Sequence, residues 1–120
     1  KFLSGSKGEH FDLEEVFEDL NRSYFNGLLA RPDLGWSRAR SRTLLGHWDP
    51  AHNAIILSRA LDVESTPRVV VDYVMFHEML HLRFPAEHHG ARRSVHTREF
   101  RAAEKAFPHA RTAKAFLKHL

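Results

Sequence analysis

The sequence predicts an α+β domain, and three observations carry that expectation. Residues 11–28 place apolar side chains at helical spacing, residues 36–58 break into short extended segments separated by a turn, and the stretch after Pro67 is an almost wholly apolar helix. A helix apolar nearly all round has to be buried, so the other elements are expected to pack around it.

In order along the chain, Phe11, Val16, Phe17, Leu20, Tyr24, Phe25 and Leu28 follow a period near 3.6. Asp12 is placed to cap this first helix, Glu14 and Glu15 suit its first turn, and Asn26-Gly27 can end it. Past Arg31-Pro32-Asp33, the run Trp36–Thr43 alternates so that Arg38, Arg40 and Arg42 share one face, as on a solvated strand. Leu44–Trp48 and Ala54–Ser58 are two further strand candidates, joined by the turn-forming Asp49-Pro50-Ala51-His52-Asn53. Residues 36–58 therefore read as a three-stranded antiparallel meander, with Trp36 and Trp48 packing the sheet on a helix. Ser65-Thr66-Pro67 opens the central helix with a capping hydroxyl and a first-turn proline, and Pro85 stops it. Residues 86–95 read as a loop around Gly90, a further helix runs from about Ser94 to Phe107, and a terminal one spans 110–119.

Composition narrows the functional classes. At 120 residues the chain is read as one domain, 1–120, with a core of about 11–107. It contains no cysteine, which excludes disulfides, thiol nucleophiles, cysteine zinc ribbons and iron–sulfur clusters within these residues. No apolar run approaches membrane-spanning length, Lys1–His10 has no signal-peptide character, and a cytoplasmic setting is expected. A formal charge of +3 points only faintly to nucleic acid. Ten histidines are the unusual count, and they ask for a metal or proton-transfer explanation.

The central helix carries His77-Glu78-Met79-Leu80-His81. Imidazoles at i and i+4 lie on one helical face and can reach a single tetrahedral Zn²⁺, while Glu78 is placed as general base toward the water that the metal activates. In so histidine-rich a chain the bare pattern arises by chance in roughly one sequence in twenty. Its setting is more telling, because burying two imidazoles and a carboxylate without partners costs several kcal/mol. A third ligand is required, and His88, His89, His96, Glu99 and Glu104 are the candidates. His96 ranks first, since His96, Phe100, Ala103 and Phe107 share a helical face. Glu99 is the alternative ligand or an acceptor for an imidazole N–H. His10, His47, His52, His109 and His119 read as surface residues, and Arg92-Arg93 as a possible substrate contact.

These segments together resemble the SprT-like family of zinc metallopeptidases, within the zincins. The matching features are Leu20–Leu29, Leu34-Gly35-Trp36-Ser37, Leu45-Gly46 with Asn53–Ser58, Tyr73–His81, and His96-Thr97-Arg98-Glu99-Phe100. The resemblance spans about residues 11–107. It implies a zincin-like fold and zinc-dependent hydrolysis of peptide bonds in a protein or peptide substrate. It also implies zinc ligation by His77, His81 and His96 (the last in a His-x-x-x-Phe context), with Glu78 as base. Some members act on DNA-bound proteins, and many relatives append a cysteine zinc ribbon or a DNA-binding extension, neither of which is read in these residues. DNA is thus a secondary expectation, and a silent metal-binding or nucleic-acid-associated module is the alternative. Strand 54–58 is expected to be the edge that holds extended substrate.

Overall fold

The computed structural model describes residues 5–120. Along them run helix α1 (Leu13–Tyr24), strands β1 (Asp33–Trp36), β2 (Gly46–Asp49) and β3 (Ala54–Leu57), a 3-10 turn (Arg59–Leu61) and helix α2 (Arg68–Arg83). Strands β4 (Glu87–His89) and β5 (Arg92–Ser94) follow, then helices α3 (Arg98–Ala106) and α4 (Ala110–Lys118). The α+β class holds, and α2 contacts each of the other helices as well as β2 and β3. Val70, Val71, Met75, Met79 and Leu80 of α2 are almost completely buried, against Leu13, Val16 and Phe17 of α1, Ile55 and Leu57 of β3, and Phe100 of α3. None of the helices is long and apolar enough to cross a membrane, among the described residues.

The sheet corrects the expected meander. Its order is β1-β3-β2, with β3 parallel to β1 and antiparallel to β2, so it is mixed. The first strand ends at Trp36, where the predicted one began. Residues 37–45 leave the ladder because their hydroxyls offer the backbone other partners. Ser37 Oγ donates to Ala39 O, Ser41 Oγ accepts from Leu44 N at 2.9 Å, and Ser58 Oγ donates to Ser41 O. Arg38, Arg40 and Arg42 are exposed on this loop rather than on a strand face. The predicted hairpin between β2 and β3 is present, with Asn53 at φ 48° in its turn. Strand β3 is the centre of the sheet and offers no edge; the edge strands are β1 and β2.

Two helix starts differ in an instructive way. Asp12 caps α1 as expected, accepting from Glu14 N at 3.0 Å. At α2 no side chain caps; Pro67 itself takes the cap position, and the Thr66 hydroxyl is buried without a hydrogen-bond partner. A charged cluster secures this end instead, where Arg68 reaches Asp72 Oδ1 at 2.7 Å and Asp19 Oδ2 at 3.0 Å. The expected loop 86–95 contains the antiparallel pair β4–β5, turning at Gly90 with φ 66°.

The segment before α1 is fastened to the core by one carboxylate. Asp62, 2% exposed, accepts from the backbone N–H groups of Glu9 at 2.7 Å, His10 at 2.9 Å and Phe11 at 3.1 Å. Gly8 permits this approach, because a Cβ there would lie 2.1 Å from Asp62 Oδ2. Ser6 O then accepts from Trp36 Nε1 at 3.1 Å, closing the segment over the sheet. Asp62→Ala leaves three donors without their acceptor and is expected to lower unfolding free energy by about 2–3 kcal/mol in urea titrations, with Asp62→Asn costing less. An Asp62→Ala protein as stable as wild type would show that water serves these donors equally well.

Candidate metal centre

Helix α2 presents His77, Glu78 and His81 toward a cleft of about 330 Å³ lined also by Gly46, His47 and Trp48 of β2, and by Arg93, Val95 and His96. One ring nitrogen from each of His77, His81 and His96 lies within 4.8 Å of the others. Their rings stand 5.1–5.3 Å apart between centroids. The fully buried ring of Phe100 lies beneath all three, at 5.1 Å from His77, 4.7 Å from His81 and 4.8 Å from His96. Phe100 thus serves as an apolar platform on which the imidazoles converge.

His96 does not begin α3, as its spacing suggested, but stands just before the cap. Thr97 occupies the cap in an extended conformation, and its hydroxyl accepts from Phe100 N at 3.2 Å. The remaining third-ligand candidates are placed elsewhere. Glu99 is exposed on α3, and His88 is exposed on β4. His89 also lies on β4, its side chain outside the described residues. Glu104, rather than Glu99, is the acceptor for an imidazole N–H, since its carboxylate is hydrogen-bonded to Nδ1 of His77. The signal was present in the sequence, as Glu104 follows Phe100 by one turn on the side of α3 that faces α2. Gly46 and His47 carry no sequence signal for the site, because nothing local ties a strand residue to a helix more than two dozen positions away.

Electrostatics separate the five titrating groups. Burial works against the charged form of His77, but the hydrogen bond to Glu104 and the charge of Glu78 outweigh it and raise its pKa. The same bond holds the Glu104 carboxyl below its usual range. His81 is pushed down to about 4, first by burial and then by the neighbouring His77 and His96. His96 is lowered for the same reasons. Glu78 is 5% exposed and accepts no hydrogen bond among the described residues; burial pushes it up to about 7. Gly46 leaves room for it, since a Cβ there would lie 2.7 Å from Glu78 Oε2 and 2.9 Å from Val74 Cγ1.

This donor set suits a divalent metal. His81 is neutral at pH 7 with its lone pair available, and an ionised Glu104 fixes the hydrogen of a neutral His77 on Nδ1, leaving Nε2 as donor. Three nitrogens on one side of a half-open cleft leave room for a fourth partner. A sequence model of the SprT-like family matches residues 13–119. The chain belongs to the SprT-like family. Searches of curated proteins and of solved structures returned no significant match.

Two outcomes follow for this SprT-like domain. Glu104→Ala removes the acceptor that orients His77 and is expected to weaken metal binding about 10–100-fold, read by competition with a chromophoric chelator. The second concerns the metal-free protein. Glu78 has a folded-state pKa of about 7 against 4.5 for an ordinary glutamate, so its contribution to stability is present below 4.5 and lost as pH rises through 7. His81 has the opposite sign: its contribution is present above 6.5 and lost as pH falls through about 4. In chelator, Glu78→Gln should therefore be more stable than wild type at pH 8, by roughly 1–3 kcal/mol, with the gap closing below pH 4.5. A pH-independent gap in thermal or urea unfolding would rule out ionisation of Glu78 as its cause.

Proposed function

We propose that this domain is a zinc-dependent peptidase of zincin type, acting on protein or peptide substrates. The observation that carries the reading is the carboxylate of Glu78, buried, without a hydrogen-bond donor, and directed to the cleft beside three convergent imidazoles. His77, His81 and His96 would hold one Zn²⁺, which when bound supplies Lewis acidity and lowers the pKa of water. A nearby cation also draws Glu78 toward its ionised form, countering the burial that raises it.

Glu78 then has the attributes of a general base. It takes the proton of the attacking water and returns it to the amine of the departing peptide half. Desolvation strengthens its basicity, and the absence of donors leaves both oxygens free for the transfer. The side wall of the cleft is β2, whose outer edge pairs with no strand among the described residues. An extended peptide laid along Gly46–Asp49 would add a strand there and bring a backbone carbonyl past Glu78.

Glu78→Gln is expected to keep stoichiometric zinc and to lose about 10²–10⁴ in kcat on a flexible protein substrate. Metal content and turnover are measured on the same preparation. Undiminished hydrolysis by the variant removes Glu78 from the mechanism. A zinc-loaded wild type that cleaves no flexible protein at any pH favours a silent metal-binding module.

A further inference from the structure

The peptidase reading leaves open which peptides the cleft prefers, and one side chain bears on that. Arg93, on β5, lines the same cleft as Glu78 and the three imidazoles, across from β2. Its guanidinium makes no hydrogen bond or ion pair among the described residues, so no carboxylate there neutralises its charge. Its cross-strand partner on the hairpin is His88, which supplies no negative charge. The hairpin's acid, Glu87, pairs with Ser94 one register step away, and so belongs to the opposite face. On the β2 side, Asp49 is engaged by His52, with Nδ1 and Oδ2 2.7 Å apart. Among the described residues, the only carboxylate in the cleft lining is that of the buried Glu78.

We infer that Arg93 is a specificity-determining residue that selects peptide substrates with an acidic side chain near the scissile bond. The inference rests on the peptidase reading for cleavage but not for recognition. A peptide running along the edge of β2 keeps its backbone toward that strand and projects alternate side chains outward. Those reaching across the cleft meet Arg93, whose planar guanidinium can grip a carboxylate with two N–H donors. The neighbouring lining, Trp48, Pro50 and Val95, is largely apolar and competes little for that contact. A lysine at the same substrate position faces like charge and is disfavoured.

The test uses the zinc-loaded domain and matched fluorogenic peptides that differ by Glu or Lys at single positions on either side of one cleavable bond. At one position the Glu peptide should have a kcat/KM roughly three- to tenfold above its Lys counterpart. Arg93→Glu should reverse that ratio, and Arg93→Lys should retain part of it. In parallel, affinity of the same peptides for Glu78→Gln is measured by fluorescence anisotropy, which needs no turnover. Cleavage with a Glu/Lys ratio unaffected by Arg93→Glu overturns the inference and leaves the peptidase reading intact. No cleavage, but Arg93-dependent binding of the Glu peptide, supports the inference and overturns the peptidase reading. Neither cleavage nor charge-selective binding overturns both.

Discussion

Helix α2 has to be buried because its sequence is apolar on nearly every side, yet it carries His77, Glu78 and His81 with it. Removing an acid and two imidazoles from water is costly unless each is satisfied. The domain answers differently for each group. His77 is given Glu104, His81 is left neutral, and Glu78 is left without a donor. The last arrangement does not favour the metal-free fold, since the desolvation that raises the pKa of Glu78 makes its ionisation oppose folding above the ordinary glutamate range.

Phe100 shows how packing and chemistry are joined. Its ring is fully buried, yet it is in contact distance of all three imidazoles and so fixes where they meet. The same helix brings Glu104 to His77 one turn later, so α3 both roofs the core and orients a ring nitrogen. Thr97, itself extended, caps that helix at the residue after His96, so His96 stands on the bend between β5 and α3. A small shift of α3 would therefore move the platform, the orienting carboxylate and His96 together.

Much of this was legible in the sequence, and the exceptions have physical causes. Helical periodicity and the Asp12 cap place α1, the apolar run between Pro67 and Pro85 places α2, and the i, i+4 spacing puts His77 and His81 on one face with Glu78 beside them. The spacing of His96 and Phe100 put both in the site, although His96 precedes its helix rather than starting it. Strand β1 was misplaced because its partner, β3, is parallel and lies across a crossover that no local pattern encodes. The serines of the 37–45 loop also mimic an alternating strand while binding its backbone into turns. The hairpin β4–β5 reads as loop because its strands are three residues each, polar and largely exposed. Gly46 was invisible as a site residue, since its role is the absence of a Cβ against a side chain from another element.

The cleft is built from elements of very unequal anchorage. His77, Glu78 and His81 ride on α2, the most deeply packed element, and Gly46 lies on a strand paired to the sheet. His96 is exposed, and Arg93 sits on a hairpin whose ladder runs only between β4 and β5. A metal held by all three histidines would cross-link the exposed His96 to the core, so part of its binding free energy would go into ordering the wall that carries Arg93. The affinity of such a site then reports on the hairpin as well as on the ligands. Substitutions in β4–β5 that touch none of the imidazoles would still weaken the metal, whereas equally exposed substitutions in the 37–45 loop would not.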